Sequence, residues 1–240
     1  MAYPTVVMEF PVSRELRRIE SSWSTPQLLD ALHHALTGAG PALATANLTQ
    51  EVNSEIALVV TTSGSTGEPK AVALTAKALI ANARATHKFL DAKVGQRWSL
   101  LLPTTHIAGL NVLIRSIELG TTPVTVENQA DFTAIVPTQL HRALTGDTKL
   151  LNHLRGCQAV LVGGGPLSTE LRDSAIAKGI KVITTYGATE SCGGVVYDGV
   201  PLDGVEISII DQRIALRGSQ LATSYLNGEI PIKDGWLITS

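Results

Sequence analysis

The sequence predicts an α/β fold with layered, largely parallel sheets covered by helices, and a small β-rich subdomain at the C-terminal end. Three observations carry the prediction. Short apolar runs alternate with helical patterns from Ile56 to Thr184, as expected of parallel strands joined by helices that cover both faces of a sheet. Several of those runs lead into turns rich in glycine and hydroxyl residues, the kind of ground on which open α/β sheets bind ligands. After Gly194 the texture changes to brief strand-like runs separated by turn residues.

The elements follow in order. Residues 1–55 read as a helical entry segment. Thr25-Pro26 resembles a cap followed by a first-turn proline. Leu28, Leu29, Leu32 and Leu36 recur at helical spacing, and Gly38, Gly40 and Pro41 stop the helix. Residues 42–54 read as a loop. The core, 56–200, begins with strands at Ile56–Val60 and Val72–Leu74, then an alanine-rich helix at Ala76–Leu90. A strand at Trp98–Leu102, a helix at Leu110–Leu119, and strands at Pro123–Val126 and Ala134–Val136 follow. A helix opens at Pro137, with a strand at Ala159–Val162, a helix at Thr169–Lys178 and a strand at Ile180–Thr184. In the β-rich subdomain, 201–240, Val205–Ile210 and Arg213–Leu216 flank Asp211-Gln212, which suits a hairpin.

Composition narrows the function. Of 240 residues 44% are hydrophobic and 17% charged, which supports a sizeable core and argues against disorder. A net charge of -2 offers no broad basic field, so nucleic acid is not an expected partner. Cys157 and Cys192 lie far apart and form no CxxC pair, which argues against a disulfide framework or zinc site and fits a reducing cytoplasm. The N-terminal residues lack a secretory pattern, and no apolar run approaches the roughly 20 residues of a membrane helix. A homodimer is the default expectation for assembly.

Residues 61–70, TTSGSTGEPK, carry the strongest local signal. Glycine lets a backbone turn sharply, successive N–H groups and hydroxyls can surround phosphate oxygens, and Lys70 adds a compact positive charge. Thr62, Ser63, Gly64, Ser65, Thr66, Gly67 and Lys70 are the candidate phosphate binders. The loop is not a Walker A motif, because Pro69 precedes the lysine. A second block, Tyr186-Gly187-Ala188-Thr189-Glu190, ends a strand with an aromatic ring, a hydroxyl and a carboxylate. These residue types can stack on a base, donate to phosphate and hold Mg2+. By itself the block fits a surface turn equally well. A third block, Gly163, Gly164 and Gly165, allows close backbone approach to a flat ligand, or simply a tight turn.

Together and in this order, TSGSTGEPK and YGATE resemble the signature blocks of the adenylate-forming superfamily of acyl-CoA synthetases, peptide-synthetase adenylation domains and luciferases. One departure is Ala71, where that family commonly has glycine. The resemblance implies ATP, Mg2+ and coenzyme A as cofactor and cosubstrates. It also implies Tyr186 packed on adenine, Thr189 on the α-phosphate and Glu190 as metal ligand, with Lys70, Thr189, Glu190 and His106 as the catalytic set. The stretch LLPTTHIAGLNVLIR at 101–115 fits the family's P-x-x-H-x-x-G block through His106 and Gly109. HIAGLNVLIRS, VPTQL at 136–140 and YGATESCGGVVYDGVPLDG at 186–204 resemble more closely the o-succinylbenzoate–CoA ligases, whose small-molecule carboxylic acid is an aromatic diacid. A diacid needs a second positive partner, and Arg115 is the candidate, beside the alternative of a surface arginine. His106 lines the acyl pocket or is a core histidine. Thr138 lines it or caps a helix. Ala188 and Ser191 complete the candidate substrate residues.

The same resemblance leads to the expectation of an aspartate, a hinge and a small lid domain with a catalytic lysine after Ser240, none of which these residues contain. Turnover by this chain alone is expected to be strongly impaired. Two alternatives stay open: activation of another aryl or fatty acid, and a nucleotide-binding fragment without catalysis. A Rossmann dehydrogenase is disfavoured, because the three glycines lack GxGxxG spacing.

Overall fold

The runs IALVVTT and KAVALT are apolar along almost their whole length, which suits strands covered on both faces. The structure, a computed structural model, describes residues 12–62 and 69–239. In chain order the elements are β1 (Ser13–Arg14), β2 (Leu16–Arg18), α1 (Thr25–Thr37), β3 (Ala42–Ala44), β4 (Val52–Asn53), β5 (Ile56–Thr62), β6 (Lys70–Thr75) and α2 (Ala76–Leu90). Next come β7 (Trp98–Ser99), α3 (Ile107–Glu118), β8 (Phe132–Ile135), α4 (Pro137–Thr145), α5 (Thr148–Gly156), β9 (Ala159–Val162), α6 (Thr169–Ala177) and β10 (Val182–Ala188). A 3-10 turn, Thr189–Ser191, leads to β11 (Gly193–Tyr197), β12 (Val200–Pro201), β13 (Val205–Ile210), β14 (Arg213–Gly218), β15 (Ser224–Tyr225), β16 (Ile232–Lys233) and β17 (Trp236–Ile238).

Three larger sheets result. The first has the order β15-β6-β5-β3-β2. Its β2, β3 and β5 are parallel, and β6 and β15 are added antiparallel. It draws strands from the entry segment 1–55, the core 56–200 and the segment 201–240 at once. The second has the order β12-β11-β10-β9-β8-β7, with β7 to β10 parallel and β11 and β12 antiparallel. The third, β13-β14-β17-β16, is antiparallel throughout. The first two sheets are therefore parallel at heart, each with antiparallel strands along one edge.

Helices fill the layers. α1 and α2 lie against the first sheet, and α3 lies against the second while touching both helices. α3 is buried almost all round, at Ile107 and from Gly109 to Ser116, as befits a helix with apolar residues on every side. Its Leu110, Leu113 and Ile114 join Leu58, Val60, Val72 and Leu74 of the first sheet in one apolar cluster. Its Val112 joins Trp98, Phe132 and Val195 of the second sheet in another. α4, α5 and α6 cover the second sheet's opposite face through Leu140, Leu154 and Ala175.

Some expectations shift. The cap of α1 is Ser24, one residue earlier than Thr25, and its N–H donates to Gln27 Oε1 at 2.8 Å. Ala42–Ala44, expected in a loop, is a fully buried strand too short to display a period. Pro123–Val126 contributes only an isolated bridge from Val124 to Ser99. α5 was not anticipated.

Candidate functional site

β5 and β6 pair so that Thr62 stands opposite Lys70, which fixes both ends of the glycine- and hydroxyl-rich segment. Ser63, Gly64, Ser65, Thr66 and Gly67 lie outside the described residues. The chain just before Thr62 is held from the next strand's end: Thr61 N–H donates to Thr45 Oγ1, and the two hydroxyls are 2.9 Å apart.

Lys70 is half-buried, its Nζ 5.2 Å from the centroid of the Tyr225 ring. The Tyr225 hydroxyl donates to Glu190 Oε1 at 2.6 Å. Pairing of β15 with β6, Tyr225 opposite Val72, sets the tyrosine there. Ala222 N–H donates to the Glu190 carbonyl at 2.6 Å and ties the turn to the same segment. Burial first, and then the Glu190 carboxylate, push the Tyr225 phenol well above its ordinary range, so it stays a proton donor. The structure thus joins the ends of two sequence blocks through a tyrosine that sequence reasoning missed. Nothing near Tyr225 in sequence signals its role.

The YGATE block is shaped by close packing. Gly187 faces Gly194 across the β10–β11 pair, beside a register shift. A Cβ on Gly187 would sit 2.0 Å from the Gly193 carbonyl oxygen, so no side chain fits. Cys192 adopts φ 54°, a left-handed reversal, and its carbonyl accepts from Asn111 Nδ2 at 2.7 Å. Ser191 is fully buried. Its Oγ lies 2.8 Å from the Gly193 carbonyl oxygen and accepts the Ala188 N–H at 2.9 Å, so this hydroxyl serves the turn itself. Ala188 and Thr189 are half-buried. Tyr186 is 39% exposed, its hydroxyl donating to Thr239 Oγ1 at 3.0 Å.

Gly163, Gly164 and Gly165 follow β9, next to β10, so they and Tyr186 share the carboxyl-end rim of the parallel strands. A Cβ on Gly163 would meet Thr185 Oγ1 at 2.2 Å, while Gly164 and Gly165 are exposed.

His106 is exposed at the N-cap of α3, so it is not a core histidine. A Cβ on Gly109 would lie 2.2 Å from the Pro103 carbonyl, which explains the glycine in P-x-x-H-x-x-G. Thr138 is exposed on α4 but does not cap it. The N-cap is Val136, whose N–H donates to Gln139 Oε1 at 3.1 Å.

Arg115 is not a surface arginine, being 3% exposed. One Nη2 reaches Tyr197 Oη at 3.1 Å and Asn82 Oδ1 at 3.4 Å, and the guanidinium lies 5.0 Å from the Trp98 ring centroid. Its Nε has no partner, and no carboxylate pairs with it among the described residues. Asn82 also donates to the Gly194 carbonyl at 3.0 Å, linking Arg115 to the turn after YGATE. Burial lowers the arginine's pKa, yet a guanidinium keeps its charge. Burial and then Arg115 lower His87 to about 4.

Among the described residues no three His, Cys, Asp or Glu side chains cluster to hold a metal. The single carboxylate of Glu190 suits an ion such as Mg2+, which takes most of its ligands from phosphate and water. No helix among the described residues is long and apolar enough to cross a membrane.

The model of the family described as AMP-binding enzyme matches residues 7–226. This chain belongs to the AMP-binding enzyme family. It is 40% identical over 249 residues to a probable 2-succinylbenzoate–CoA ligase of Mycobacterium tuberculosis H37Rv, covering 90% of this chain and 64% of that protein. It is 29% identical over 223 residues to the 2-succinylbenzoate–CoA ligase of Enterococcus faecalis, covering 77% of this chain and 46% of the relative. The chain therefore spans less than two thirds of the length of either curated relative. Among solved structures it is similar to O-succinylbenzoate coenzyme A synthetase (MenE) from Bacillus subtilis in complex with AMP. There the TM-score is 0.68 at 23% identity, over 93% of this chain and 74% of that one. It is also similar to the inhibitor-bound N-terminal domain of FACL13 from Mycobacterium tuberculosis, with a TM-score of 0.70 at 18% identity over 93% and 76% of the chains. Both structural likenesses establish the α/β fold shared by the family.

Proposed function

We propose that this chain is the nucleotide- and acid-binding part of an ATP-dependent, AMP-forming acid–CoA ligase acting on o-succinylbenzoate, a step toward menaquinone. The observation that carries the reading is the meeting of Lys70 and Glu190 at Tyr225, beside the rim that holds Tyr186 and the three glycines. Family membership supports adenylate chemistry, and the names of the relatives support the acid. The buried guanidinium of Arg115, which pairs with no carboxylate among the described residues, supports a ligand that brings a second acid group.

In this reading the substrate carboxylate attacks the α-phosphate of ATP and pyrophosphate leaves. The thiol of coenzyme A then attacks the acyl-adenylate carbonyl and AMP leaves. Lys70 and Thr189, with the segment between Thr62 and Lys70, would contact phosphate oxygens, and Tyr186 would stack on adenine beside Gly163–Gly165. Glu190 would hold Mg2+, which would neutralise phosphate charge. His106, Thr138 and Ala188 border the acyl pocket, Ser191 shapes it by holding the turn, and Arg115 receives the distal carboxylate. Positioning and electrostatics suffice, and no side-chain nucleophile is needed. Cysteine usage supports a cytoplasmic enzyme, and general symmetry a homodimer.

Calorimetric titration tests this with a sulfamate mimic of o-succinylbenzoyl-AMP against a benzoyl-AMP mimic that lacks the second carboxylate. We expect the diacid mimic to bind at least about tenfold tighter, about 1.4 kcal/mol, and Arg115→Met to abolish that preference. Equal binding by the unaltered chain would remove the substrate assignment, and binding of neither would remove the nucleotide site.

A further inference from the structure

Three segments far apart in sequence contribute one side chain each to a single small cluster: Lys70 from β6, Glu190 from the 3-10 turn after β10, and Tyr225 from β15. Lys70 and Glu190 form no ion pair with each other among the described residues. That is unexpected for opposite charges so close to a common neighbour. A direct Lys–Glu pair would satisfy each charge with the other, and a phosphate and its cation would have to break it. Tyr225 avoids this. Its hydroxyl is a neutral donor, which steadies one carboxylate oxygen without cancelling the charge. Its ring face attracts an ammonium, again without cancelling it. Both charges stay available to incoming ligands of opposite sign.

We propose that Tyr225 is a positioning residue of the phosphate site, holding Glu190 ready for a divalent cation through its hydroxyl and Lys70 ready for phosphate through its ring. Tyr225 itself touches neither ligand. It acts through Glu190 and Lys70, and β-pairing with Val72 and the Leu226 N–H to Ala71 carbonyl bond of 2.8 Å hold it in place. The inference rests on the reading that Glu190 binds the cation of a metal–nucleotide complex.

The test compares binding of α,β-methylene-ATP in the presence of Mn2+ and in EDTA, by calorimetry, with bound Mn2+ counted by electron paramagnetic resonance. The unaltered chain should bind Mn2+ with the nucleotide and gain affinity from it. Tyr225→Phe keeps the ring and loses the hydroxyl. It should weaken Mn2+ binding about tenfold, as loss of an outer partner of a metal ligand commonly does, and leave affinity in EDTA within about twofold. Glu190→Gln should abolish the Mn2+ gain, and adding Tyr225→Phe to it should change nothing further. Tyr225→Leu removes ring and hydroxyl, and should weaken binding in EDTA as well.

Four outcomes would overturn the proposal. Undiminished Mn2+ affinity in Tyr225→Phe overturns it and leaves the cation site standing. An equal loss with and without Mn2+ assigns Tyr225 to packing alone. A further loss on the Glu190→Gln background shows that the tyrosine does not act through the glutamate. Absence of any Mn2+ effect in the unaltered chain overturns the cation reading and the proposal together.

Discussion

Arg115 illustrates what one residue can constrain. Removing a guanidinium from water is costly unless its charge and donors are answered, and here the answers are a phenol, an amide and an aromatic face. His87 feels the consequence. It is buried beside this charge, its Nε2 has no partner among the described residues, and its pKa is lowered from 6.5 to about 4. Unfolded, His87 takes up a proton as pH falls through 6.5; folded, it does so only near 4. The unfolded state binds more protons between those values, so His87 lowers stability progressively as pH falls from 6.5 to 4 and contributes no pH dependence above that window. The loss amounts to up to about 3 kcal/mol. Urea unfolding of His87→Phe at about pH 7 and about pH 5 should give a visibly smaller drop than the parent; an equal drop would show that His87 titrates normally. At this scale legibility depended on locality. Lys70 and Glu190 stood out because they end compact blocks, and apolar neighbours hinted that Arg115 is buried. Asn82, Asn111, Tyr197 and Tyr225 gave no such sign, since each acquires its role from a backbone group or charge far along the chain.

The elements divide along similar lines. α2 and the β13–β14 hairpin follow from local pattern: an alanine-rich run starting after the cap Thr75, whose Oγ1 accepts the Ala78 N–H at 3.1 Å, and two strands on either side of Asp211-Gln212. β3 is only three buried residues, so its neighbours decide it rather than its own sequence. α5 buries just Leu150 and Leu154, too few to show a stripe, although its cap Asp147, accepting the Leu150 N–H at 2.9 Å, was a usable signal. The hairpin also carries a prediction. Asp211 and Gln212 have φ of 50° and 62°, the left-handed pair of a type I′ turn, which matches strand twist but favours glycine at its second position. Gln212→Gly relieves a side-chain clash there, partly offset by the greater freedom of glycine in the unfolded chain. It should stabilise the protein by about 0.5–1 kcal/mol. The urea midpoint should rise at constant slope; a fall would mean that Gln212 makes a favourable contact outweighing its strain.

At the scale of the whole molecule, the candidate site draws its residues from two docked sheets. Lys70 and Tyr225 belong to the first sheet, whereas Tyr186 and the turn bearing Glu190 extend from the second. α3 is the seam. It places side chains in both apolar clusters, starts beside His106, buries Arg115, and holds the Cys192 carbonyl through Asn111. Leu110, with no exposed surface, is one of its anchors toward the first sheet. Leu110→Ala removes apolar contact and opens a cavity at the seam, for an expected loss of about 2–5 kcal/mol. Because the helix serves both sheets, the loss should move the entire transition. Trp98 is buried in the second sheet's cluster and Trp23 packs against the first, so tryptophan fluorescence samples both sides while far-UV circular dichroism samples all elements. The two signals should shift together to lower urea as one transition. Their separation into two transitions would mean that the sheets unfold independently, and that docking at α3 contributes little of the stability on which the shared site depends.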